Sequence, residues 1–166
     1  MYDYVLQYGF DDNTRDYIQS IKDYLKENGI EDKERNWLPH ITIDLYNCKG
    51  EKEFIEKCDN AILGLKSFKV EFRKLNHCNN ETLYIEPHND EQLLKLKLHF
   101  DNELDDYMIE KRRTRNYIPH ITLCTTPTLD KAIHLSNKKF KPFTAEIKYI
   151  WIYNSNMELI KTYDLI

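Results

Sequence analysis

The segment Trp37-Leu38-Pro39-His40-Ile41-Thr42-Ile43 returns 80 positions later as Tyr117-Ile118-Pro119-His120-Ile121-Thr122-Leu123. An echo at one fixed offset means that the chain is built from two like halves. The same offset relates other stretches more weakly. Tyr4-Val5 lands on Tyr84-Ile85, and Phe68-Lys69-Val70 falls near Lys148-Tyr149-Ile150. No Pro-, Gly- or Ser-rich linker parts the halves, and Asn76 to Asn80 reads as a turn. At 166 residues the chain has the size of one ordinary domain. The expectation is a single domain over 1–166, with lobe-forming repeats at approximately 1–78 and 79–166.

Each half shows the same order of elements. The first opens with a β-rich run, Tyr2 to Tyr8. A helix is expected from about Asn13 to Asn28, because Tyr17, Ile18, Ile21, Tyr24 and Leu25 recur with helical spacing and Gly29 follows as a stop. A charged loop, Glu31 to Arg35, leads to the first His segment. A second helix carries Phe54, Ile55, Cys58, Ile62 and Leu65 on one side, and Ser67 to Leu75 closes the half as a strand. The second half opens with a strand, Thr82 to Glu86. Asp90 to Met108 then fits two periods: Leu94, Leu96, Leu98 and Phe100 alternate as a strand would, while Leu93, Leu96, Phe100, Leu104 and Tyr107 recur as a helix would. Its length and the parallel with the first half favour a helix. A loop at Lys111 to Arg115, the second His strand, a short helix near Leu129 to Ser136, and strands near Thr144 to Tyr153 and Glu158 to Tyr163 complete the chain. The fold class expected is α+β: a bilobal, pseudo-two-fold duplicated fold with two antiparallel sheets lining a central cleft and helices outside.

Side chains alternate across a strand. Alternation puts Leu38, His40, Thr42 and Asp44 on one face, and Ile118, His120, Thr122 and Cys124 on the matching face of the second motif. Trp37, Pro39, Ile41 and Ile43, like Tyr117, Pro119, Ile121 and Leu123, fall on the opposite face and are expected in the core. A His and a Thr thus stand ~6.6 Å apart along each strand. Pseudo-symmetry would bring both pairs to one cleft. An imidazole accepts or donates a proton near neutral pH, and a hydroxyl donates hydrogen bonds to anionic oxygens without adding charge. Two of each suit acid–base chemistry on a phosphate: one imidazole takes a proton from the nucleophile, the other gives one to the departing oxygen, and the threonines hold the non-bridging oxygens. A lone His-x-Thr is uninformative; two copies in matching Pro-His-Ile-Thr frames are not.

No metal or cofactor is expected. A metal would need a third ligand, and Asp44 on the first face has only Cys124 as its counterpart. His77, His88, His99 and His134 show no ligand spacing. The balance of 24 basic and 28 acidic residues, net −4, excludes a protein that coats nucleic acid by bulk charge, so phosphate binding must be local. No apolar run approaches the ~20 residues needed to span a bilayer. The start, MYDYVLQYGF, has no basic n-region. The four cysteines, Cys48, Cys58, Cys78 and Cys124, form no CxxC pair. Reduced thiols in a cytoplasmic protein, with no membrane contact and no obligate protein partner, are expected.

The two His-Ile-Thr frames resemble those of the 2H phosphoesterase superfamily, and most of all its 2′-5′ RNA ligase-like and RNA 2′,3′-cyclic phosphodiesterase branch, whose motifs often read Pro-His-[Ile/Val]-Thr-[Leu/Ile]. The likeness in element order covers essentially the whole chain. It implies a metal-independent mechanism on RNA, oligonucleotide or nucleotide substrates carrying 2′,3′-cyclic phosphates or 2′-5′ links. It implies that His40 and His120 are catalytic and that Thr42 and Thr122 bind the phosphate. It further implies His40 as general acid toward the leaving 3′ oxygen, His120 as general base on water, and a 2′-phosphate product. Hydrolysis of 2′-5′-linked or cyclic oligonucleotide signals, or non-catalytic binding of a nucleotide or RNA end, are the alternatives. Many relatives carry an Arg soon after the second motif, where this chain has Cys124-Thr125-Thr126-Pro127. Positive charge lies upstream instead, at Lys111, Arg112, Arg113 and Arg115, which read either as a phosphate clamp or as a solvated loop. Tyr84 and Tyr4 are both expected to pack in the core, with Tyr84 a possible substrate contact.

Overall fold

A computed structural model describes residues 1–34 and 36–166; Arg35, the last residue of the expected charged loop, lies outside the described residues. The order strand, helix, strand, helix, strand occurs twice. The first set is β1 (Tyr4–Phe10), α1 (Asp12–Glu27), β2 (His40–Tyr46), α2 (Glu51–Ile62) and β3 (Phe68–Cys78). The second is β4 (Thr82–Pro87), α3 (Glu91–Glu103), β5 (Ile121–Thr125), α4 (Leu129–Lys139) and β6 (Phe143–Asn154), followed by β7 (Leu159–Asp164).

Every strand pair is antiparallel, in the order β2-β1-β6-β3-β4-β5, with β7 on the remaining length of β6. The fold is α+β, as expected. Its two arms form one continuous seven-stranded sheet, because β3 and β6 pair over Phe68 to Phe72 and join them. The last strand of each repeat crosses to the other: β1 pairs with β6, and β4 pairs with β3. The two ends of this path, β2 and β5, touch each other. The sheet therefore curls until its His-bearing edges meet.

One face of the sheet and the apolar stripes of the helices make the main core. Tyr4, Leu6, Tyr8 and Phe10 of β1 point into it, with Tyr4 stacked on Phe54 of α2 at 4.6 Å. Asp11 caps α1, accepting from the Thr14 backbone N–H and hydroxyl. Ile18, Ile21 and Leu25 fill the buried stripe of α1, and Gly29 (φ +84°) ends it in the left-handed region. In α3 the helical period wins: Leu93, Leu96 and Phe100 are buried, while Leu94 and Leu98 are exposed. That helix stops at Glu103, short of the expected Met108. Short 3-10 turns at Asp105–Tyr107 and Glu110–Arg112 carry the chain to the second His segment.

The other face carries Val5, Leu45, Tyr149, Trp151 and Tyr153, with Trp37 and Tyr2 against them. Gly9 lies beneath the Trp151 ring, where an added Cβ would sit 2.8 Å from two ring carbons. This second face holds the histidines.

Candidate active site

Gly9 pairs with His40 and Gln7 with Thr42, and Val5 and Leu45 also oppose each other. These residues share the second face. His40, Thr42, His120 and Thr122 are all partly exposed, whereas Ile41 and Ile121 between them are fully buried. Period-two alternation therefore holds through both His-Ile-Thr triplets.

It then breaks, twice, at equivalent places. Leu6 pairs with Asp44 and Gln7 with Thr42, so Ile43 is an extra residue in β2; Leu83 pairs with Cys124 and Tyr84 with Thr122, so Leu123 is extra in β5. Each is a β-bulge. Past it, Asp44 and Cys124 turn to the core face, against the expectation that they share the histidines' face. Both are buried. Asp44 meets Lys97 of α3 at 3.0 Å and Arg112 at 2.5 Å, so its carboxylate is used up away from the site. Among the described residues no group of three His, Cys, Asp or Glu side chains could hold a metal ion.

The two imidazoles are held alike. His40 Nδ1 lies 2.7 Å from the Leu38 carbonyl oxygen, and His120 Nδ1 lies 2.7 Å from the Ile118 carbonyl oxygen. A carbonyl only accepts, so each Nδ1 carries the hydrogen. Each Nε2 is then the ring nitrogen that can exchange a proton: a lone pair in the neutral ring, a donor in the imidazolium. His40 Nε2 lies 3.1 Å from the Thr42 hydroxyl. Burial pushes the His40 pKa down to about 4, with the Lys22 ammonium and His120 adding to the fall against the Leu38 bond. His40 is neutral at pH 7. That His120 acts electrostatically on His40 marks the two as neighbours.

Trp37 is not in the main core. Its indole is half-buried and edge-on to His40, 6.0 Å between centroids, with Tyr153 behind it at 5.1 Å. Pro39 precedes the strand, and alternation does not extend back across it. Tyr117 is likewise half-buried; its hydroxyl donates to the Thr42 carbonyl oxygen at 2.9 Å, and Lys97 lies over its ring. Tyr4 is in the core. Tyr84, its expected counterpart, instead lies against His120 at 5.0 Å, opposite Thr122. The residue in the matching register position of the first arm is Gln7, not Tyr4.

Of the upstream cations, Arg112 is committed to Asp44, and Arg113 pairs with Asp105 and Glu110. Arg115 is exposed and makes no ion pair among the described residues. Two residues near the site escape a reading of the sequence. Lys22 lies on the face of α1 toward Cys124 and acts on His40; nothing in its helical context marks it. Gln7 is buried against Thr42, with its Oε1 unpartnered among the described residues. A lone amide in the apolar run Tyr4 to Phe10 is the available signal. All four cysteines are free thiols, and only Cys78 is exposed. No described helix is long and apolar enough to cross a membrane.

A curled antiparallel sheet thus presents two like-held His-Ile-Thr triplets from its meeting edges, as the resemblance to two-histidine phosphoesterases implies. The family model of the 2′-5′ RNA ligase superfamily matches residues 10–156, and the chain belongs to that family. No curated protein is similar enough in sequence to match. Among solved structures, Escherichia coli LigT complexed with 3′-AMP superposes with a TM-score of 0.69 at 11% identity, covering 99% of this chain and 98% of that one. TT0787 of Thermus thermophilus gives 0.70 at 10% identity over 98% of this chain and 97% of that one. E. coli LigT complexed with NADP+ gives 0.66 at 12% identity over 99% and 97%. At these identities the likeness is one of fold.

Proposed function

We propose that the protein is a metal-independent phosphodiesterase that opens 2′,3′-cyclic phosphate termini of RNA or oligonucleotides to 2′-phosphates in the cytoplasm. The observation that carries this reading is the matched tethering of His40 and His120 through Nδ1, which leaves both Nε2 atoms for proton transfer. The phosphate sits between them, with Thr42 and Thr122 donating to its non-bridging oxygens.

Water attacks phosphorus as one imidazole removes its proton; the P–O3′ bond breaks as the other imidazole protonates that oxygen; the phosphate stays on O2′. The environment that holds His40 neutral suits it to the base role, with His120 as the acid. The family resemblance implies the opposite order, and an aryl phosphodiester decides between them: its leaving group needs no proton, so it restores activity to the variant that lacks the acid and not to the one that lacks the base. Tyr84, beside His120, and Arg115, free of ion pairs among the described residues, are the substrate contacts this reading favours over Arg112 and Arg113.

The test is incubation with nucleoside 2′,3′-cyclic phosphates, 2′-5′ oligoadenylates and cyclic dinucleotides, with and without EDTA. EDTA-insensitive conversion of the cyclic phosphates to 2′-phosphates is expected. Activity abolished by EDTA, or a 3′-phosphate product, overturns the reading.

A further inference from the structure

Each segment that leads into one His motif is tied to the strand that bears the other. On the way to His120, Arg112 reaches Asp44 of β2 and the Tyr117 hydroxyl reaches the Thr42 carbonyl oxygen. On the way to His40, the Lys33 N–H donates to the Thr125 carbonyl oxygen of β5 at 2.7 Å. Asp32 Oδ1 accepts from the Thr125 N–H at 2.9 Å, and Glu34 Oε1 accepts from its hydroxyl at 3.1 Å. Asp32 and Arg112 stand 80 positions apart, the repeat distance. The two ties start from equivalent segments and run in opposite directions between the halves, through different groups.

We infer that these crossed ties set the distance between the two imidazoles, and that Tyr117 and Asp44 are positioning residues for the reaction. Through the sheet, β2 reaches β5 only by way of β1, β6, β3 and β4. Small changes of twist at each of those pairings add up along the path. Among the described residues β2 and β5 share no ladder, so the main-chain and side-chain ties from these two segments are what link their edges. The first tie is the more rigid. Asp44 is buried and held by Lys97 and Arg112, Lys97 also meets Asp101, and its ammonium lies over the Tyr117 ring. A buried network with its partners satisfied has one arrangement. Tyr117 draws that arrangement onto the carbonyl of Thr42 itself, within the triplet that carries His40.

The inference rests on the two-histidine reading for its catalytic consequence, but not for its geometry. Tyr117→Phe deletes one oxygen. It is expected to lower kcat about 10-fold on a 2′,3′-cyclic phosphate with KM within about twofold, because a misplacement of ~1 Å is costly to proton transfer. Tyr163→Phe is the control: its hydroxyl donates to Asp59 at 2.7 Å, linking β7 to α2. It is expected to lower Tm comparably and to leave kcat unchanged. The substrate-free readout is the NMR titration of His40 before and after His120→Ala. In the otherwise native protein, loss of the facing imidazole raises the His40 midpoint; in Tyr117→Phe the same loss moves it by less than half as much. Equal shifts in the two backgrounds overturn the inference. If the native protein turns over no cyclic phosphate, the functional reading fails while this titration still decides the positioning role.

Discussion

Trp37 stands edge-on to His40, its ring plane at 68° and its centroid 6.0 Å away, with Tyr153 closing the far side of the indole. An indole packed against the imidazole takes the place of water there, which disfavours the charged form. Trp37→Ala is expected to raise the His40 pKa from about 4 toward its ordinary 6.5. The acidic limb of the kcat/KM profile would move up by about one unit or more, because more His40 is then protonated and idle at a given pH. Trp37→Phe should move it less. A pH–rate profile of the three proteins checks this.

The same depressed pKa affects stability. In the unfolded chain His40 titrates near 6.5 and in the folded protein at about 4, so between those values the unfolded state binds more protons. Stability gained by keeping His40 neutral is full above about pH 6.5 and is lost as pH falls toward 4. Urea midpoints should fall across that window in the native protein and fall less in His40→Gln.

Thr42 and Thr122 offer hydroxyls to the phosphate. Thr42→Val and Thr122→Val keep the shape and remove the donor. Each is expected to lower kcat by about 10- to 100-fold with a smaller change in KM, since the hydroxyl does most for charge that develops in the transition state. Thermal melts should stay close to native, because both side chains are partly exposed.

Gly9 pairs with His40 and lies under Trp151. A Cβ there would come within 2.8 Å of the ring carbons Cε2 and Cζ2. Trp151 stacks on Tyr149 and abuts Tyr153, so it has little room to retreat. Gly9→Ala should cost about 1–3 kcal/mol as an overpacked site. Denaturant unfolding measures the loss.

How much of the molecule is legible in its sequence depends on which interactions decide each feature. The His-Ile-Thr triplets and the core stripe of α1 follow from local periods, two and 3.6, and are readable. The bulges at Ile43 and Leu123 are not, because a bulge exists only relative to a partner strand, and nothing in Ile43-Asp44 or Leu123-Cys124 names that partner. Running alternation back through Pro39, where no ladder enforces it, misplaces Trp37. A constant offset matches Tyr84 to Tyr4, while the register pairs it with Gln7's position, since the strands of the two arms differ in their spacing from the His motifs. The exchange of β3 and β6 between arms is a matter of topology alone. The ties from Arg112 and Tyr117 are hidden for the same reason: both partners lie in the other half of the chain.

The proposed chemistry needs two imidazoles working as one acid–base pair. Measurement of kcat/KM on a nucleoside 2′,3′-cyclic phosphate for the native protein, His40→Ala, His120→Ala and the double variant tests that pairing most directly. Each single change is expected to remove activity by about 10²- to 10⁴-fold, with the double variant little worse than either, as for groups that act as a unit. A single variant that keeps activity within about twofold of native would contradict it.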